Sequence, residues 1–225
     1  MSGFNNSQAK ILERNLFDIQ KKIAQAAESV GRSDSDVTLV AVSKTVSVEN
    51  IRFLYDLGVR DFGESKLQEA IPKIQTLPED IIWHFIGHLQ SNKARKVAEL
   101  FSVIHTIASE SQLRELEKSS LVRDVFIEIN IAQESNKSGI SVNLLDVFKE
   151  KLLQCKGTRF RGLMTIGPAL PDAEAMRSYF KEMNRLNQLA GGTWLSMGMS
   201  GDFDVAIQEG ATHVRVGSAL FGARS

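Results

Sequence analysis

Cysteine is almost missing from this chain: Cys155 is the only one in 225 residues, so no disulfide can form within it. With no second cysteine to resolve it, Cys155 reads as a small packing residue near a helix end rather than a redox centre. Proline is scarce, with four in all. No Pro/Gly/Ser-rich linker or low-complexity stretch interrupts the chain, so residues 1–225 read as one domain. No run approaches the roughly 20 consecutive apolar residues that a membrane helix needs, and no apolar signal segment opens the sequence. These absences predict a cytoplasmic protein away from membranes. An excess of one charge is lacking as well. Lys plus Arg and Asp plus Glu both number 27, which removes any global pull toward nucleic acid. There is no P-loop, and no Cys–His or Ser–His–Asp arrangement is compelling.

What is present is alternation. Residues 1–7 are polar and expected to be loose. A first helix over about 8–30 carries Ile11, Leu12, Leu16, Ile19, Ile23 and Ala26 at helical spacing and stops at Gly31. Strand patterns follow at Val37–Val42, Arg60–Gly63, Ile81–Ile86, Val103–Ile107, Val122–Asn130, Arg159–Ile166, Trp194–Met197 and His213–Val216. Helical patterns lie between them, near 48–57, 65–75, 91–100, 109–118, 142–154, 172–190 and 201–209, with a short last turn from Ser218. Strands alternating with helices predict a parallel sheet. Eight such units without a linker suit an α/β fold of the single-domain (β/α)8 TIM-barrel type with an extra N-terminal helix. A doubly wound open sheet is the alternative, but Ser43-Lys44-Thr45 is not its glycine-rich first turn.

In such a barrel, ligands bind where strands end. Lys44 follows the buried first strand. Two readings stand: an ordinary solvated loop lysine, or a desolvated amine with a lowered pKa suited to Schiff-base chemistry. Two later strand ends resemble anion cradles. In Met197-Gly198-Met199-Ser200-Gly201-Asp202, Ser200 either caps the next helix or helps to hold an anion with free backbone N–H groups. In Val214-Arg215-Val216-Gly217-Ser218, a short helix opens where barrels often hold a phosphate. Alternation turns Val214 and Val216 toward the outer helices and Arg215 into the barrel. There it meets either an internal ion-pair partner, Glu64 or Glu128, or a ligand. His84 and His88 sit where a strand runs into a turn and diverge, which argues against zinc. His84 reads first as a core histidine.

The segments Leu39 through Lys44, Asp61 through Glu64, Trp83 through Lys93, Asn130 through Gly139, Arg161 through Thr165, Leu195 through Asp202 and Arg215 through Gly222 match a known pattern. In them the chain resembles the pyridoxal phosphate homeostasis family, which looks like the N-terminal barrel of alanine racemase. The resemblance implies that Lys44 bonds the aldehyde of pyridoxal 5′-phosphate (PLP) as a Schiff base. It implies that Ser200, Gly201, Gly217 and Ser218 hold the phosphate, that Arg215 approaches the pyridine nitrogen, and that Met164 and His84 line the pocket around the ring. The chain departs from the family at Ser65 and Lys66, where asparagine and an aromatic are frequent. Ser218 stands where threonine is common and keeps the hydroxyl.

A ring nitrogen facing Arg215 stays unprotonated, because arginine cannot accept a proton and PLP is the better electron sink when that nitrogen is protonated. A racemase also needs a second acid/base. Tyr55 and Tyr179 fall in outer helices, and the chain is expected to have no room for the racemase's second domain. The resemblance therefore implies a monomeric PLP-binding protein of vitamin B6 homeostasis without efficient amino-acid catalysis, with apo-enzymes as candidate recipients. A weak PLP-dependent racemase or lyase is the alternative. A phosphosugar enzyme using the same two cradles is a third reading.

Overall fold

The structure is a computed structural model that describes residues 6–134 and 136–222. Eight strands run in chain order: β1 (Thr38–Val42), β2 (Asp61–Glu64), β3 (Ile82–Phe85), β4 (Val103–Ile107), β5 (Arg123–Glu128), β6 (Thr158–Met164), β7 (Trp194–Met199) and β8 (His213–Val216). Each pairs in parallel with the next, and β8 pairs with β1, so the sheet closes into a barrel. That closure excludes the open doubly wound sheet. The strands form where apolar and β-branched residues concentrate, as in Thr38-Leu39-Val40-Ala41-Val42.

The helices on the outside are α1 (Asn6–Glu28), α2 (Val48–Asp56), α3 (Leu67–Thr76), α4 (Ser91–Leu100), α5 (Glu110–Glu117), α6 (Leu145–Gln154), α7 (Arg177–Leu189), α8 (Phe203–Gln208) and α9 (Ser218–Phe221). Local sequence sets their starts. Ser47 accepts from the Asn50 N–H ahead of α2, and Ser109 and Gln112 form a reciprocal capping box ahead of α5. The helix α1 begins earlier than the pattern suggested and takes in Asn6 and Ser7. The rest of the expected loose start, residues 1–5, lies outside the described residues. Its buried stripe of Leu12, Leu16, Ile19 and Ile23 packs against α8 and α9, and Asn15 donates to the Leu220 carbonyl at 2.9 Å. Thus α1 holds α9, and with it the strand end that α9 follows.

The barrel has two interiors of different character. Ala41, Val125, Val214 and Val216 face outward and join the large apolar layer beneath the helices. Inside, the apolar cluster is small: Val103, Phe126 and Met164, with Trp194 against them. Much of the remaining inner volume is polar, occupied by His84, His105, His213, Ser196 and Arg215, all buried. Parallel barrels usually fill this space with branched aliphatics, so the polar filling calls for hydrogen-bond partners.

Candidate ligand site at the barrel mouth

At the end of β1, two neighbouring residues lead in different directions. Ser43 Oγ donates to Glu64 Oε1 at 2.7 Å, and Lys73 Nζ from α3 donates to the same oxygen and to the Ser43 carbonyl, both at 2.7 Å. This buried trio fixes the strand end against α3. Register places Val40 beside Arg215 on the inner face. Alternation carries that face to Lys44, which lies half-buried in the turn at the mouth, followed by Thr45 with a φ of 64°.

The other side of the mouth is shaped by a bulge. Ser196 stands beside His213 and Met199 beside Arg215, so β7 carries one residue more than β8 over this stretch. Gly198, at φ 87°, makes the bulge, and a Cβ there would lie 2.5 Å from the Ala206 Cβ. The strand therefore runs to Met199, two residues past its expected end. The bulge turns Ser200 toward α9, where its hydroxyl oxygen accepts from the N–H groups of Gly217 and Ala219, each at 3.2 Å. The two cradles that the sequence suggested are thus one structure. Ser200 does not cap α8. Asp202 holds that position, and its carboxylate accepts from the Met199 N–H at 2.6 Å.

Arg215 lies between these two sides. Neither expected ion-pair partner takes it. Glu64 is bound by Lys73 and Ser43, and Glu128 accepts from Ser138 Oγ at 2.6 Å. Arg215 instead donates to Ser196 Oγ at 2.6 Å and to the Thr165 carbonyl at 2.8 Å. Burial pushes its pKa down to about 10, with the charges of Asp202 and Glu128 acting in opposition, so it stays cationic at neutral pH. Burial also raises the pKa values of Glu128 and Asp202.

Beneath Arg215 the hydrogen bonds continue. Ser196 Oγ meets His105 Nδ1, His105 Nε2 meets His84 Nδ1, and His84 Nε2 meets Asp61 Oδ1, each at 2.9 Å. His105 is held well below the usual histidine pKa by burial, then by the neighbouring His84, His213 and Arg215. Burial pushes His213 down to about 3. Both rings are neutral at ordinary pH.

The mouth therefore offers a lysine amine, a cluster of hydroxyl and backbone N–H donors, and a fixed guanidinium. The family model described as "Alanine racemase, N-terminal domain" matches residues 15–225. The pyridoxal phosphate homeostasis protein of Aquifex aeolicus (strain VF5) is 37% identical over 220 residues, covering 93% of this chain and 96% of that protein. The Escherichia coli (strain K12) protein of the same name is 40% identical over 228 residues, covering 95% of this chain and 97% of its own. The chain belongs to the pyridoxal phosphate homeostasis protein family. Among solved structures, PipY of Synechococcus elongatus PCC7942 with PLP bound matches at TM-score 0.76 and 33% identity, over 91% of this chain and 100% of that one. Alanine racemase from Corynebacterium glutamicum, at 15% identity and TM-score 0.68 over 96% of this chain and 61% of its own, shares the fold.

In this homeostasis-family barrel the residues singled out by sequence do not stand equally close to the mouth. Lys44, Ser200, Gly217 and Arg215 lie at strand ends around it, and Gly201 and Ser218 are exposed beside Ser200 and Gly217. Met164 ends β6 on the inner face, its Cα beside those of Glu128 and Ser196. His84 lies within the barrel with both ring nitrogens engaged, and it connects to the mouth through His105 and Ser196. Sequence reasoning gave no role to His105, Ser196, Thr165 or Asp61, although the last three fall in the segments that carry the resemblance. Inward alternation of polar residues along β4 and β7 was the available signal. Three-residue clusters of His, Cys, Asp and Glu able to hold a metal are absent among the described residues, and no helix there is long and apolar enough to cross a membrane.

Proposed function

We propose that this chain binds PLP at the barrel mouth and serves vitamin B6 homeostasis by holding the reactive aldehyde, with apo-enzymes as recipients. Lys44 would anchor the aldehyde carbon. Ser200, Gly201, Gly217 and Ser218 would receive the phosphate, Arg215 would donate to the ring nitrogen, Met164 would line the pocket around the ring, and His84 would reach it only through His105 and Ser196. The carrying observation is the junction at Ser200, where one hydroxyl gathers the N–H groups of Gly217 and Ala219 on the rim that Arg215 also reaches. A cluster of N–H and O–H donors suits a phosphate dianion. A donor-only guanidinium suits an aromatic nitrogen lone pair. When bound, PLP supplies an electrophilic aldehyde and a ring that can take up electron density. The chain's own part is to fix the amine, grip the anion and keep the ring nitrogen unprotonated.

The same reading covers a monomer of one domain in the cytoplasm, and the buried free thiol of Cys155 suits that compartment. Limited chemistry follows from the outer placement of both tyrosines. Tyr55 on α2 donates to Asp80 at 2.7 Å, and Tyr179 on α7 packs into the apolar layer beneath the helices. One observation favours a residual racemase or lyase activity. Glu128 is an inward carboxyl with a raised pKa beside Arg215, a candidate acid/base group.

The decisive experiment is incubation of the purified protein with PLP, absorbance spectroscopy, borohydride reduction and peptide mapping. A pyridoxyl group on Lys44, absent in Lys44→Ala, is expected. A preparation that stays colourless, or a label on another lysine, overturns the assignment. Exchange of the α-proton of L- or D-alanine in deuterated water at ordinary enzyme rates would overturn the non-catalytic part and favour Glu128.

A further inference from the structure

Five side chains connect the mouth of the barrel to its opposite end: Arg215, Ser196, His105, His84 and Asp61. With both imidazoles neutral, the two ends fix the direction of every bond between them. Arginine has donors only, so Ser196 Oγ accepts from Arg215 and its own proton is free to be donated onward. A carboxylate has acceptors only, so His84 carries a proton on Nε2 toward Asp61. A neutral His84 then has a bare Nδ1, which accepts from His105 Nε2–H. His105 in turn has a bare Nδ1, which accepts the Ser196 hydroxyl proton. Each donor meets one acceptor at 2.6 to 2.9 Å, and the dipoles add head to tail.

We propose that this one-way chain positions Arg215: Asp61 is the remote counter-charge of the guanidinium, and His84, His105 and Ser196 transmit its orientation to a ring acceptor at the mouth. The other contacts of Arg215 define the geometry further. The Thr165 carbonyl holds its second nitrogen, while Asp202 and Glu128 act on it only through space. His105 is packed by Phe126 at 4.4 Å between ring centroids and faces His84 at 5.2 Å and His213 at 6.2 Å. With Arg215 so oriented, the nitrogen lone pair of a pyridine ring meets a donor that cannot exchange its proton at neutral pH. The ring-acceptor part rests on the proposed PLP site. The chain itself does not.

Two measurements separate these parts. In the ligand-free protein, 15N-resolved NMR of the imidazoles reads the tautomers directly. Both His84 and His105 are expected as Nε2–H forms, with His105 untitrated through neutral pH. A doubly protonated His84, or a proton on His105 Nδ1, would reverse the chain at His105 and overturn the proposal whether or not PLP binds. In the PLP-loaded protein, the absorption of the bound chromophore is expected to be constant across neutral pH. His105→Phe, and Asp61→Asn at the far end, should make it pH-dependent and weaken PLP binding by about tenfold or more, the loss expected for one charge-assisted hydrogen bond. His105→Gln, which can still accept from Ser196 and donate to His84, should restore the constant spectrum. Phe126→Leu, which alters packing alone, should leave it unchanged. A spectrum in His105→Phe that stays constant, or one that Phe126→Leu disturbs equally, overturns the positioning role. A wild-type protein that takes up no PLP at all defeats the ligand reading, and the tautomers alone then decide the chain.

Discussion

The hydroxyl of Ser200 accepts a hydrogen bond from the backbone N–H of Gly217 across 3.2 Å, although the two residues are 17 apart in sequence. This contact, with its companion at Ala219, ties the end of β7 to the start of α9. Replacing Ser200 with alanine leaves two N–H groups without their acceptor. Each net hydrogen bond is worth about 1 kcal/mol, so Ser200→Ala, which loses two, should lower stability by roughly 1–2 kcal/mol. On the proposed site it should also weaken PLP binding, because the phosphate would lose a hydroxyl and meet a less ordered pair of amides. Urea unfolding and spectroscopic titration with PLP check the two effects separately.

Lys73 and Glu64 form a buried ion pair at 2.7 Å behind the Lys44 turn, with side-chain exposures of 9% and 0%. Removing one partner strands the other charge, and such losses cost about 3–5 kcal/mol. Lys73→Met should destabilise the protein by that much and release the Ser43 end of β1. The double variant Lys73→Met/Glu64→Leu should recover most of the loss, because no lone charge remains. A double-mutant cycle in urea measures both outcomes.

Buried histidines and Glu128 act on stability in opposite senses as the pH changes. His213 falls from 6.5 to about 3 on folding. The unfolded chain therefore takes up its proton first as the pH drops, and stability declines below pH 6.5. His105 contributes in the same sense. Glu128 works oppositely, since its folded pKa lies above the ordinary 4.5. Its contribution is present below 4.5 and is lost as the pH rises through the folded value. Unfolding free energies measured from acid to neutral pH should show a shallower acid limb for His213→Phe. Glu128→Gln should be more stable relative to wild type at neutral pH than in acid.

Leu16 is buried in the stripe by which α1 holds α8 and α9. Leu16→Ala should cost about 2–5 kcal/mol. Hydrogen exchange at the Gly217 and Ala219 amides should speed up more than at amides on the β4 side of the barrel. Equal acceleration on both sides would show that α1 does not anchor α9 specifically.

The barrel was readable in the sequence because each strand is a short apolar run between helical patterns, a local signal. What escaped was non-local. The β7 bulge depends on Gly198 fitting against Ala206 of a later helix, so the strand was ended at Met197 instead of Met199. Ser200 stood between two readings, a cap for the next helix or part of an anion cradle, and only the approach of β8 shows that its hydroxyl serves α9. Arg215 was recognised as an inward charge, but its partners were sought among carboxylates. They are a hydroxyl on the neighbouring strand β7 and a carbonyl just past the end of β6. His105 showed only the inward alternation of a polar residue on β4, since its role depends on β3, β4, β7 and β8 meeting in one cavity.

The polar filling of the barrel affects how the molecule assembles. Imidazoles, a serine and a guanidinium are well solvated in an open sheet, so a partly closed sheet gains little by bringing a few of them together. Several of their bonds join neighbouring strands, but the one between Ser196 on β7 and His105 on β4 crosses the barrel, so the network is complete only when the sheet curls shut and the seam between the first and last strands is made. Cohesion before that moment comes from the greasy layer under the helices, which makes the seam a checkpoint: a chain with its eighth strand undocked should hold its helices yet keep a wet, unsettled centre.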